Sequence, residues 1–152
     1  MKKLFILFLL LSSVSVSTFG QIDEQRLTEP YFFGNDVAIS GNWCIVGNRM
    51  DSYTANGGIT YSAAGSASIF KKQANGVWQF HSKLIEQCWY TGGDQHGNYF
   101  GHSVAMDGNW AVVGSDYDSD DAGNIGPDGV VFVYHYNAGL NAWILHQRLQ
   151  EA

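Results

Sequence analysis

The sequence predicts an all-β fold made of two copies of one antiparallel unit, and three observations carry that reading. Phe33 to Gly47, FGNDVAISGNWCIVG, recurs 67 residues later as Phe100 to Gly114, FGHSVAMDGNWAVVG, with nine of the fifteen positions identical. Each copy alternates apolar residues on both sides of a Gly-Asn pair, the pattern of two short strands joined by a tight turn. No helical period is sustained anywhere in the chain. A strand-rich unit repeated at a long period points to propeller blades or a related repeat array. The expected fold is therefore two four-stranded antiparallel propeller-type blades plus an N-terminal strand, an arrangement that suits part of an incomplete β-propeller.

Unit one spans about 33–87. It opens with strands from Phe33 to Ser40 and from Trp43 to Gly47 around the turn at Gly41 and Asn42. Asn48 to Ala64 is polar and Gly-containing with no period, and reads as a long loop. Gly65 to Lys72 gives a third strand. Val77 to Glu86 gives a fourth, its alternation setting Trp78, Phe80 and Ser82 on one side. Unit two, about 100–152, repeats the plan with strands from Phe100, Trp110, Gly129 and Trp143, and with a loop from Ser115 to Asp128. The N-terminal strand is expected at Gln25 to Glu29, QRLTE, because Gln147 to Glu151, QRLQE, matches it at four of five positions. Trp43 and Trp110 recur within the motif and are expected in matching, largely buried packing sites.

Residues 1–20 read as a secretory signal peptide: Lys2 and Lys3 lead an apolar run from Leu4 to Leu11, followed by small residues up to Gly20. That run is well short of the ~20 residues that span a bilayer, and no later apolar run replaces it, so no membrane span is expected. Residues 21–152 then form one secreted, cell-surface or periplasmic domain, with six basic residues against fourteen acidic ones. Such an acidic balance argues against nucleic acid as a partner, since phosphate binding calls for a basic patch. Cys44 and Cys88 are the only cysteines. They are not expected to face each other in a blade, and two unpaired thiols are the simpler expectation.

These residues resemble the FG-GAP repeat, the unit of the integrin α-subunit propeller and of many exported bacterial proteins. Phe33-Gly34 and Phe100-Gly101 match the family's FG. Val46-Gly47 and Val113-Gly114 stand where its Gly-Ala-Pro segment begins, with Asn48 and Ser115 in place of Ala-Pro. The resemblance covers residues 25 to 152 and implies a propeller-type fold. It does not specify a function, because propellers host many activities. The integrin-like form also carries a calcium loop, D-x-D-x-D-G-x-x-D, between its first and second strands. Here those positions hold Ser40-Gly41-Asn42 and Asp107-Gly108-Asn109, which leave no room for a ligand cage.

Two groups of side chains could carry chemistry. Asp116, Asp118, Asp120 and Asn124, with Asp121 and Asp128, form the densest acidic cluster. Carboxylates at alternate positions suit Ca²⁺, although Asp121 stands where a calcium loop has its turn glycine, and a solvated acidic loop is the competing reading. Tyr53, Tyr61, Trp89, Tyr90, Tyr99 and Tyr117 lie in loops outside the repeat, with Asp94 and His96 nearby. The strand order gathers those loops on one face. Glycans, which lie flat against aromatic rings, or protein partners suit such a face, and ordinary loop anchoring competes with that use. Asp94, His96 and His102 match no zinc spacing, and no nucleophile elbow is present. The expected role is an exported binding or adhesion module. The rivals are an extracellular hydrolase or lyase using the acidic loops, and an architectural fragment of a larger propeller. Two blades leave outer faces and edges open, so self-association is a further expectation.

Overall fold

The repeated stretch folds twice into the same hairpin. In the first copy β1 (Val37–Ser40) pairs with β2 (Trp43–Asn48), and Gly41, at φ +57°, takes the first turn position. A glycine there is what a two-residue turn with the twist of the strands requires. The computed structural model describes residues 25–27, 33–54, 58, 60–86, 98–119 and 125–150, with the backbone alone at 118, 119 and 125–128. Beyond the first hairpin lie β3 (Tyr53–Thr54), β4 (Thr60–Tyr61), β5 (Ser66–Lys72) and β6 (Trp78–Leu84). Unit two supplies β7 (Ser103–Asp107), β8 (Trp110–Ser119), β9 (Ile125–Asn137) and β10 (Ala142–Gln150).

The strands form two four-stranded antiparallel meanders, β1-β2-β5-β6 and β7-β8-β9-β10, and a small β3-β4 ribbon. The described residues hold strands and turns without helix, and the sheets do not close into a barrel. This is the geometry of partial propeller blades. Their first strands, β1 and β7, lie side by side. Three hydrogen bonds tie them: Val104 N donates to Asp36 Oδ2 (2.8 Å), Gly108 N to Ser40 Oγ (2.9 Å), and Asn35 Nδ2 to the His102 carbonyl (2.6 Å).

Both copies of the repeat are fastened by the same backbone hydrogen bonds. In unit one the amides of Gly34 and Asn35 both donate to the Gly47 carbonyl, and in unit two those of Gly101 and His102 both donate to that of Gly114. The Phe-Gly corner is thereby fastened to the end of the second strand. The turn carbonyls of Asn42 and Asn109 likewise accept from Lys72 N and Tyr136 N, both at 2.8 Å.

One face of unit one packs on the opposite face of unit two, with Trp43 and Ile45 contributed by the first and the alternate positions Ala111 and Val113 by the second. Trp43, Ile45, Ala67, Ile69 and Leu84 meet Phe100, Ala111, Val113, Val130, Phe132, Tyr134, Tyr136 and Trp143 in a single core. Burying large apolar side chains contributes roughly 1.5–3 kcal/mol each, so this interface is the main source of cohesion between the units. A smaller cluster, Cys44, Val46 and Phe70, lies on the far face of unit one against Leu27, Phe33 and Trp78.

Several expectations need correction. The third strand of unit two starts at Ile125 and the second runs to Ser119, so most of 115–128 is paired strand rather than loop. The 48–64 stretch contains the β3-β4 ribbon. Residues 25–27 are not in a strand: the Gln25 side chain accepts from Trp78 N (2.7 Å) and donates to its carbonyl (2.6 Å), occupying the β6 edge by side chain instead of backbone. Residues 28–32, the signal-peptide stretch and Cys88 lie outside the described residues. Ser82 does not share a face with Phe80, because one extra residue, His81, separates the Phe70–Phe80 pair from the Ile69–Ser82 pair. Trp110 is 42 % exposed where Trp43 is 7 % exposed, so the two sites do not match in burial. The reason is position: Trp43 faces unit two, and among the described residues nothing comparable covers the corresponding face of unit two.

Candidate functional site

The long-loop end is built from the seam between the units. Tyr99 N donates to the Ala63 carbonyl (3.2 Å) and Phe100 N to that of Ala64 (3.1 Å), while Gly65 and Phe100 form a parallel bridge. Ala63 and Tyr99 hold φ values of +52° and +55°, which non-glycine residues rarely adopt. The packing and hydrogen bonds of the seam offset that cost. The Ser115 hydroxyl donates to the Asn98 carbonyl, and Asn98 Nδ2 donates to Glu86 Oε2 (3.2 Å). Burial, reinforced by the charge of Glu86, raises the Tyr134 hydroxyl pKa, which keeps that phenol neutral beneath the seam.

On the rim above, His102 Nδ1 and Asp116 Oδ2 stand 2.9 Å apart, with 42 % and 46 % of their side chains exposed. Tyr99 and Tyr117 meet edge to face beside them, ring centroids 6.0 Å apart. In unit one, Asp51 Oδ2 accepts from Ser66 Oγ (2.7 Å) and Lys83 Nζ (2.9 Å), which pins the loop after β2 to β5 and β6. An exposed ion pair of this kind contributes at most about 1 kcal/mol, so its effect is mainly positional.

Of the side chains singled out in the sequence, Tyr117 is exposed on this rim and Tyr53 is half-exposed on the β3-β4 ribbon. Tyr61 is buried and anchors that ribbon. Asp116 is engaged with His102, and Asp118 lies opposite Asp128 in the β8-β9 ladder. Trp89, Tyr90, Asp94, His96, Asp120 and Asn124 lie outside the described residues. Among the described residues no group of three His, Cys, Asp or Glu side chains is placed to hold a metal ion. The arrangement offers two aromatic rings, one carboxylate and one imidazole to a ligand. The His102–Asp116 pair escaped sequence reasoning because unit one carries Asn35 at the equivalent position, and Asp116 counted only as part of an acidic run.

No curated protein matches the chain. Residues 92–134, from the segment before the Phe100-Gly101 corner to the third strand of unit two, match the family model for the FG-GAP repeat. Unit one reproduces the same meander, with the same paired amide donors at its Phe-Gly corner. Unit two therefore carries an FG-GAP repeat over residues 92–134, and the two sheets fit a propeller fragment.

Proposed function

We propose that the chain is an exported binding module that offers its long-loop rim to a protein or glycan partner. The observation behind this reading is the juxtaposition of the Tyr99–Tyr117 pair with the half-exposed His102–Asp116 pair, with Tyr99 tied to unit one and its carbonyl accepting from the His102 amide. Aromatic rings supply contact area at small conformational cost, and the carboxylate and imidazole supply directed hydrogen bonds. The acidic overall charge favours neutral or basic partners over acidic ones. Export is the role of the apolar leader.

The test is to express the full chain with its leader, collect the medium, and screen the product on glycan and protein arrays. A retained hit should lose roughly 30-fold in affinity on Tyr117→Ala, the range of an interface anchor. Val77→Ala, at an exposed site on β6's side of the opposite turn, should bind as wild type. A hit indifferent to Tyr117→Ala and Asp116→Ala would show that the rim is not the site.

A further inference from the structure

The four histidines among the described residues are of two kinds. His81 holds Nδ1 3.1 Å from Ser82 Oγ and Nε2 3.3 Å from Asn141 Oδ1, and His102 is paired with Asp116. His135 and His146 make ring contacts but have no hydrogen-bond or ion-pair partner among the described residues, so each keeps a ring nitrogen open to a ligand. They are also the two that meet. His135 lies opposite Ile144 in the β9-β10 ladder, and His146 is the extra residue of the bulge that follows Leu145. Both rings pack on the indole of Trp110, with centroids 4.4 Å and 5.0 Å from it. Both also line one recess of about 180 Å³, together with Asn137, Ile144 and Leu145. Side chains diagonal to a cross-strand pair are within reach of each other, so the two imidazoles can address one point in that recess. At roughly 30 Å³ per water, it has room for an ion and several waters.

Unit one shows that the pair is not a requirement of the fold. Lys71 lies opposite Trp43 as His135 lies opposite Trp110, and His81 stands edge-on to Trp43 at 5.0 Å as His146 does to Trp110. There the Lys71 ammonium sits over the Trp43 ring, 4.9 Å from its centroid, and would repel a second cation. Unit two has a ring that can act as a ligand in place of that ammonium. Arg148 is the only lysine or arginine of unit two, and its guanidinium lies over Phe132 on the core face. Asp107, opposite Trp110, adds a carboxylate to the same cross-strand row.

We propose that His135 and His146 together bind a divalent transition-metal ion on the Trp110 face of unit two, with water completing its coordination sphere. Imidazole nitrogens suit the later first-row ions, whereas Ca²⁺ and Mg²⁺ take oxygen ligands, and Cu²⁺ binds such donors most tightly. The site lies at the turn end of the strands, away from the long-loop rim, and does not depend on the partner proposed for that rim.

The test is titration of the untagged full chain with Cu²⁺ in neutral buffer, followed by calorimetry and by tryptophan fluorescence. The variants are His135→Lys, which restores the residue of unit one, His146→Gln and Trp110→Phe. His135 is half-exposed and His146 exposed, so both histidine variants should keep the wild-type urea midpoint and circular dichroism. His135→Asn and His146→Ala replace either one that fails this check. Each histidine variant should bind at least about 10-fold more weakly, since even the loss of a group that supports a ligand costs that much. Cu²⁺ held beside the indole should quench its emission, so Trp110→Phe should keep the affinity and lose most of the quenching. A wild-type chain that binds Cu²⁺ no more tightly than His135→Lys, a His146→Gln chain that binds as wild type, or full quenching in Trp110→Phe would each overturn the proposal.

Discussion

Gly101 sits at φ +86°, its Cα facing the Ser66 carbonyl so closely that a Cβ would overlap that oxygen. Gly76, at φ +84°, has open space around it. The two therefore separate backbone strain from steric exclusion. Gly76→Ala should cost only the left-handed penalty, about 1–2 kcal/mol, and Gly101→Ala should cost clearly more, because backbone must move at the seam. Urea unfolding of both variants measures the difference, and equal losses would mean that the units approach less closely at Gly101. The Phe-Gly and Val-Gly identities were legible in the sequence because the same constraints act in both units: Gly34 and Gly101 hold left-handed φ values of +91° and +86°, and a Cβ at Gly47 or Gly114 would overlap its neighbours. The burial of Trp110 was not legible. Its local contacts repeat those of Trp43, and the difference lies in what the next face supplies: Tyr136 at 4.6 Å and Trp143 at 5.3 Å from Trp43, in ring centroids.

The fourth strand of each unit carries the same irregularity. His81 in β6 and His146 in β10 are the extra residues of matching register shifts, and each is turned onto the repeat tryptophan of its own unit. An inserted residue reverses which side chains share a face, which is why simple alternation placed Ser82 beside Phe80. The β8-β9 hairpin was misread for a different reason. Its Asp, Ser, Gly and Pro residues have low strand propensity, but pairing continues past Ser115 through two register shifts, and the ladder overrides propensity. The first strands show the reverse economy, where one side chain does much of the joining. Asp36 accepts from Val37 N within its own unit and from Val104 N across the seam. Asp36→Ala should cost about 1–3 kcal/mol by leaving a part-buried amide unpaired. Ser103→Ala, at the equivalent exposed position of unit two, should stay within about 0.5 kcal/mol. Parallel urea curves for the two variants would check this, and an Asp36→Ala loss no larger than that of Ser103→Ala would remove Asp36 from the junction.

At the scale of the molecule, two blades of the same topology share one interface, with the Trp110 face of unit two open and the far face of unit one partly covered by Leu27 and Phe33. The meander order and the repeat were readable from spacing and alternation. The rim chemistry was not, because His102 and Asp116 meet through the hydrogen bond of the His102 amide to the Gly114 carbonyl, which sets the Phe-Gly corner beside the end of the second strand. The face-to-face packing of the blades is tested most directly by comparing Trp43→Ala with Trp110→Ala, in urea unfolding at a concentration where the chain is monomeric. Trp43 fills the interface, so its loss should cost about 3–5 kcal/mol as a large-to-small core change. Trp110 lies on an open face, so its loss should stay within about 1 kcal/mol. Equal losses at the two positions, or a larger one at Trp110, would contradict the packing described.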